Sequence, residues 1–214
     1  IPEGKPEEKD GLMRLRKELG VFAGVRPAWA SENLLSTTPF KAECIKRLDI
    51  LVLRELCGGT FFSDPRGITI KNGQQIGFDT TVYTTDEILR HAKVGFELAL
   101  QRRKNLVSVD KANVMESGVL WRKVVTELSK EFPDVKLRHL YADNCAYQLV
   151  KNPTQFDVIL TDNLFGDLLS DLTGALTGSL GMLPSASLSS LKNGPTINAP
   201  GIYEPVHGTA ADIA

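Results

Sequence analysis

Two aspartates stand four residues apart in the string Asn-Leu-Phe-Gly-Asp-Leu-Leu-Ser-Asp, at Asp167 and Asp171. Leu164, Phe165, Leu168, Leu169 and Leu172 recur around them at helical spacing, which predicts a helix with both acids on one face. Two like charges on one face repel unless a cation lies between them. Carboxylate oxygens suit hard divalent cations such as magnesium and manganese. The same spacing also suits a plain solvated helix face, so the pair needs company to mean a metal site.

That company is spread along the chain. Arg16 and Arg26 flank a short segment, and Arg54 follows an apolar run. Guanidinium forks match carboxylates in bidentate fashion, so three of them converging would suit a substrate with more than one carboxylate. Lys111 follows Leu106-Val107-Ser108-Val109, and Asp143 follows the segment Val135 to Tyr141. A lysine near a metal-bound hydroxyl can serve as a base. Each of these residues alone would read as surface charge, and Asp143 as a helix cap.

The elements that must carry them alternate. Helices are expected over Gly11–Glu18, Asp86–Arg103 and Gly118–Phe132. Strands are expected over Val21–Val25 (ending at Arg26-Pro27), Asp49–Leu53, Leu106–Val109, Val135–Tyr141 and Asp157–Leu160. The residues Thr161 to Asn163 would cap the acid-bearing helix. From Gly174 onward, Gly, Ser, Thr and Pro predict loops around short elements. Strands alternating with helices argue for an α/β protein, and ligands in such sheets gather where strands end.

The 214 residues carry a net charge of −1, with 42% hydrophobic and 24% charged residues. That is ordinary globular composition. No basic excess points to nucleic acid, and no apolar run is long enough to cross a membrane. The three widely spaced cysteines, Cys44, Cys57 and Cys145, form no metal pattern and suit free thiols in a reducing compartment. The chain starts at Ile1 and stops at Ala214 in a dense Gly/His/Asp stretch. It therefore reads as an internal piece of a longer protein, expected to be inactive alone.

Five strings together resemble the isocitrate/isopropylmalate dehydrogenase family of β-hydroxyacid oxidative decarboxylases. They are LRKELGVFAGVRPA (15–28), LRELCGG (53–59), SVDKANVMESGVLWR (108–122), DNLFGDLLSDLTGALTGSLGMLPSAS (162–187) and YEPVHGTAADIA (203–214). The resemblance implies two α/β lobes sharing a mixed sheet, without the glycine-rich dinucleotide motif of Rossmann folds. It divides the chain into part of a cofactor-binding domain (1–22 and 178–214) and a substrate, metal and dimerisation domain (23–177).

By that resemblance Arg16, Arg26 and Arg54 hold the carboxylates of a dicarboxylate substrate. Asp143, Asp167 and Asp171 bind Mg2+ or Mn2+, and Lys111 is the base. Lys111 and Asp143 arrive from the second subunit of a homodimer, and Asp143 also faces the substrate. Gly181, Ser185, Glu204, His207, Gly208, Asp212 and Ile213 line an NAD site, with Asp212-Ile213 favouring NAD over NADP. Leu12 and Met13 form an apolar pocket that suits 3-isopropylmalate better than isocitrate, tartrate or homoisocitrate. The implied activity is oxidative decarboxylation in leucine biosynthesis, in the cytoplasm, with a plastid or mitochondrion left open.

Two positions depart from the pattern. Where the family reads RELTGGIYFG, this chain reads Arg54-Glu55-Leu56-Cys57-Gly58-Gly59-Thr60-Phe61-Phe62-Ser63. Phe61 therefore stands in the place of the catalytic tyrosine, with the ring but without its proton. Ala211 stands where the family usually has proline. The alternative implied by Phe61 is an inactive homologue kept as a binding or dimerisation partner.

Overall fold

In the computed structural model, the described residues are 11–179, 181, 183–189 and 200–206. Seven strands form one mixed sheet: β1 (Ala23–Trp29), β2 (Asp49–Glu55), β5 (Asn105–Asp110), β6 (Lys136–Tyr141), β7 (Val158–Thr161), β8 (Pro184–Leu188) and β9 (Gly201–Pro205). Their order across it is β6-β5-β7-β2-β1-β8-β9. β2, β7, β5 and β6 run parallel, and β1, β8 and β9 are joined antiparallel. A separate two-stranded hairpin joins β3 (Gly67–Lys71) to β4 (Gln74–Phe78).

The parallel half is covered on both faces. On one side, α3 (Thr85–Leu100) and α4 (Glu116–Leu128) pack Ile88, Phe96, Trp121 and Val125 against Leu53, Leu106 and Leu160. On the other side, α5 (Ala142–Lys151) and α6 (Asn163–Thr177) pack Leu149, Leu169 and Leu176 against Ile50, Val52, Val107 and Ile159. Alternate residues of one strand thus feed opposite cores, so the central strands read as unbroken apolar runs. A short helix α2 (Ala42–Ile45) and the first helix α1 (Gly11–Glu18) complete the chain's helices among the described residues. None of the helices is long and apolar enough to cross a membrane.

Several boundaries differ from expectation. β1 is not Val21–Val25: it runs to Trp29 straight through Arg26 and Pro27. The Ala30 N–H donates to Leu48, so even-numbered residues of β1 face β2 and Pro27 faces the other side. On that side β8 pairs with Ala23 to Val25 and goes no further. A residue without an N–H is tolerated at such an edge. β2 likewise continues through Arg54 and Glu55. Helix α4 covers Glu116–Leu128 rather than Gly118–Phe132, with a 3-10 turn over Ser129–Glu131. Past Gly174, the helix α6 persists to Thr177 and stops at Gly178 (φ +83°), and strands β8 and β9 replace the expected loops. β8, rich in small residues, pairs with β1, and β9 pairs with β8, so sheet pairing decides over local propensity.

The β3–β4 hairpin lies outside the expected elements, although its sequence carries the signal. Ile68, Ile70 and Ile76 alternate with polar residues around Asn72-Gly73, whose φ angles are 52° and 76°. Asn-Gly with both φ values positive is the preferred two-residue hairpin turn. Ile68 and Ile70 remain largely exposed.

The end of β2 is tightly packed at two points. The Glu55 carboxylate is fully buried, accepts N–H bonds from Cys57 and Gly58 (2.7–3.0 Å), and has Arg90 at 3.7 Å. Burial pushes its pKa up to about 7 from 4.5. Gly166 in α6 lies against Arg54, where a Cβ would sit 2.6 Å from Cγ and 2.7 Å from Cβ of that arginine.

A carboxyl with a raised folded-state pKa stabilises the fold fully below its unfolded value and loses that contribution as pH rises through the folded value. Glu55 should therefore lose up to about 3 kcal/mol of stability between pH 4.5 and about 7. Urea melts of Glu55→Gln, which does not titrate, should show the difference from the parent changing across that window; a pH-independent difference contradicts the assignment. Gly166→Ala offers about 1 kcal/mol of helix propensity, but overpacking against Arg54 costs about 1–3 kcal/mol. Net destabilisation is expected in the same melts, and a more stable variant would refute the contact.

Candidate active site

The cleft that collects the predicted residues has a volume of about 370 Å3 and is lined by Leu12, Arg16, Arg26, Arg54, Phe61, Asp167, Ser185, Glu204, Pro205 and Val206. Seven elements contribute. α1 brings Leu12 and Arg16, β1 brings Arg26, and β2 brings Arg54. Phe61 comes from a 3-10 turn (Gly59–Phe61), Asp167 from α6, Ser185 from β8 and Glu204 from β9. Asp162 caps α6 by accepting the Phe165 N–H at 2.8 Å, and burial pushes its pKa up to about 6.

The three arginines are buried, at 8%, 6% and 5% exposure for Arg16, Arg26 and Arg54. Buried cations require partners, and carboxylates supply them. Arg16 pairs with Glu204 at 3.0 Å. Arg26 donates to the Ser170 hydroxyl and stands 3.9 Å from Asp167 and 4.0 Å from Asp171. Arg54 donates from Nη1 to Asp167, and from Nε and Nη2 to Asn163 Oδ1 at 3.0 and 2.8 Å. Burial, and then the charge of Arg26, pulls the Arg54 pKa down to about 10, so it stays cationic at neutral pH. Burial lowers Arg26 as well. Arg16 Nε and Arg26 Nε are buried donors without a partner among the described residues. Three cationic side chains lining one cleft suit an anion there.

The acid pair behaves as its spacing implies. Asp167 and Asp171 share one face of α6, both open to solvent at 43% and 60% side-chain exposure. Partial burial and the charge of Asp167 raise the Asp171 pKa. In this structure the cation between the two acids is Arg26. Two open carboxylates beside one another fit a hydrated divalent cation, whose preferred ligands are oxygens.

Lys111 and Asp143 lie elsewhere. They form an ion pair with one another, and neither lines the cleft. Lys111 Nζ lies 5.9 Å from the Tyr141 ring centroid. Its turn is clamped by the buried Asp110, which accepts from the Ala112 N–H at 2.9 Å and from Arg122 at 2.9 and 3.0 Å. Among the described residues, no three His, Cys, Asp or Glu side chains of one chain gather as a metal site. Asp143 therefore does not join Asp167 and Asp171 within a single chain.

The remaining assignments divide. Leu12 lines the cleft, and Phe61 sits with its ring centroid 5.7 Å from the Arg54 guanidinium. Ser185 is buried in the cleft wall, and Gly181 is exposed. His207, Gly208, Asp212, Ile213 and the Met13 side chain lie outside the described residues. Sequence reading missed Asn163 and Ser170, the neutral partners of Arg54 and Arg26. Helical spacing could have found them: Asn163, Asp167, Ser170 and Asp171 fall at i, i+4, i+7 and i+8, one face of α6.

Comparison with known proteins places the chain in a family. The family described as isocitrate/isopropylmalate dehydrogenase matches residues 2–214. The 3-isopropylmalate dehydrogenase of Rhodospirillum rubrum is 55% identical over 213 residues, covering 99% of this chain and 56% of that protein. The corresponding enzyme of Aquifex aeolicus is 51% identical, covering 100% and 56%, and the chloroplastic 3-isopropylmalate dehydrogenase 2 of Arabidopsis thaliana is 52% identical, covering 98% and 50%. The chain thus spans about half the length of these relatives. The crystal structure of isocitrate dehydrogenase from Methylococcus capsulatus superposes with a TM-score of 0.84 at 29% identity, over 100% of this chain and 59% of that one. Matched by that family over residues 2–214, this chain belongs to the isocitrate/isopropylmalate dehydrogenase family.

Proposed function

We propose that this chain, residues 23–177 above all, carries the substrate and metal site of an NAD-dependent 3-isopropylmalate dehydrogenase of leucine biosynthesis, working in the cytoplasm. The observation that carries the reading is the set of three buried arginines lining one cleft. A dicarboxylate matches such guanidinium groups in bidentate fashion. Leu12, on the cleft wall, gives the isopropyl group an apolar neighbour, where a third carboxylate would be unsatisfied. Asp167 and Asp171 hold Mg2+ or Mn2+. When bound, that ion supplies Lewis-acid polarisation of the C2 hydroxyl. Ser185 and Glu204 stand on the same cleft wall as the arginines, which suits an NAD that takes hydride from C2.

The base is Lys111 of the partner subunit. Lys111 and Asp143 stay outside this chain's own cleft, so a second copy is the geometry that brings them to the acid pair. Exposed apolar side chains support a homodimer: Tyr147 and Val150 on α5, Leu168 on α6, and Ile68 and Ile70 on the hairpin. Lys111 takes the hydroxyl proton; NAD, held beside Ser185 and Glu204, would supply the hydride acceptor for the oxidation at C2. The resulting β-keto acid breaks its C–C bond and releases carbon dioxide, and the carbon left behind takes a proton to give 2-oxoisocaproate.

That last proton is the weak point. Phe61 lines the cleft and has no hydroxyl, so water must replace a positioned acid. Phe61 therefore also favours a second reading, in which the protein is a feeble or inactive homologue retained for binding or dimerisation.

Phe61→Tyr in the full-length protein should raise kcat with isopropylmalate, NAD and Mg2+ by about 10²-fold or more, the usual worth of a general acid. An unchanged or lower kcat contradicts the role. Lys111→Ala and Asp167→Asn should each abolish activity, yet their co-expression should restore about a quarter of it, because half of the dimers then hold one intact shared site. Continued inactivity of the mixture would place Lys111 in its own subunit's site.

A further inference from the structure

Arg54 carries five N–H donors on three nitrogens. Two of those nitrogens, Nε and Nη2, donate to the same atom, Asn163 Oδ1, at 3.0 and 2.8 Å. Asn163 is 1% exposed and has no freedom to turn. Its Nδ2 donates to the Gly58 carbonyl at 3.0 Å, and its backbone N–H donates to the Tyr83 hydroxyl at 3.0 Å. The amide orientation is dictated, because donors face one side of it and a carbonyl faces the other. Tyr83 is itself wedged against the Gly58-Gly59 turn, where a Cβ on Gly58 would come within 2.6 Å of its ring.

An aspartate at position 163 would meet the same two donors with the same reach. It would also bring a negative charge onto Arg54 and face the Gly58 carbonyl with a second acceptor. A neutral amide consumes hydrogen bonds and leaves the charge. Arg26 is treated likewise by the Ser170 hydroxyl, further along α6. The helix face therefore alternates neutral tethers, Asn163 and Ser170, with charged partners, Asp167 and Asp171.

We propose that Asn163 is a positioning residue for substrate binding: it holds the side edge of the Arg54 guanidinium with a neutral acceptor, so that the end edge, which donates from Nη1 to Asp167 here, can exchange that partner for a substrate carboxylate without moving. This rests on the proposed role of Arg54 in binding such a carboxylate. The same amide ties the turn bearing Phe61 to the start of α6, through Gly58.

The test uses the full-length protein containing this chain and has two arms. In the first, the Arg54 Nε–H is followed by NMR with labelled arginine and identified by its loss in Arg54→Lys. Its exchange with water should be at least about tenfold slower in the parent than in Asn163→Ser, as the loss of a buried hydrogen bond requires. Equal exchange in both overturns the proposal, whatever the ligand. In the second, calorimetry measures 3-isopropylmalate binding with Mg2+ and without NAD. Asn163→Asp should weaken binding at least about tenfold when Arg54 is present and less than about twofold in an Arg54→Met background, the mark of two residues acting as one. The same factor in both backgrounds means a general structural role and overturns the proposal. Should Asn163→Asp not fold, Asn163→Ser takes its place in the cycle, with a smaller loss of affinity expected that again vanishes without Arg54. If the Nε–H is protected but the parent does not bind 3-isopropylmalate, the tether stands and the substrate reading falls.

Discussion

The constraint on which the rest depends is the burial of three guanidinium groups beside one another. A desolvated cation is costly unless it is paired, and three together repel. Burial lowers the affinity of Arg26 and Arg54 for their protons, and each feels the charge of its neighbour. The surrounding sequence answers this demand. Asp167, Asp171 and Glu204 supply charge, Asn163 and Ser170 supply neutral acceptors, and Gly166 removes the side chain that would block Arg54. One helix, α6, provides five of these six residues. Its sequence is therefore constrained far more tightly than its apolar pattern requires.

Much of this was legible in the order of residues. The alternating strands and helices and the acid pair on one helix face follow from spacing and apolar runs, whereas Arg26 and Arg54 lie within strands rather than at their ends. The arginines converge from three different elements: Arg16 from α1, Arg26 from the middle of β1 and Arg54 from the last residues of β2. What spacing did not reveal follows from tertiary structure. Pro27 reads as a strand end, and it ends nothing, because its missing N–H points where β8 has already stopped. The Gly- and Ser-rich tail reads as loop, and it forms β8 and β9, because β1 offers an edge and small residues fit there. Glu55 falls beyond the expected end of its strand, yet it belongs to β2 and is fully buried, accepting the two N–H groups just beyond it.

Lys111 shows the limit of one chain. Its local setting is rigid: Asp110 and Arg122 clamp the turn, and a Cβ on Gly118 would lie 2.8 Å from the Ala112 nitrogen. Such order is more than a surface lysine needs. Yet its partner here is Asp143, itself 69% exposed at the side chain. On the proposed function, a well-held lysine paired with an open acid suits delivery to a second subunit's cleft.

The charge pattern of the cleft also bears on how it would be filled. Three guanidinium groups face three carboxylates, and the carboxylates nearest Arg26 and Arg54 are those assigned to the divalent cation. A dicarboxylate arriving alone would compete with Asp167 for Arg54. A divalent cation arriving alone would meet Arg26 between its two ligands. Arriving together, the cation claims the aspartates and the dicarboxylate claims the freed arginines. The site then remains neutral, and no buried charge is left without a partner. On the proposed function, each therefore favours the binding of the other, by the same factor in both directions. The neutral tethers are what make the exchange workable: with Asn163 and Ser170 holding Arg54 and Arg26 in place, the guanidinium groups can change ionic partners without changing position.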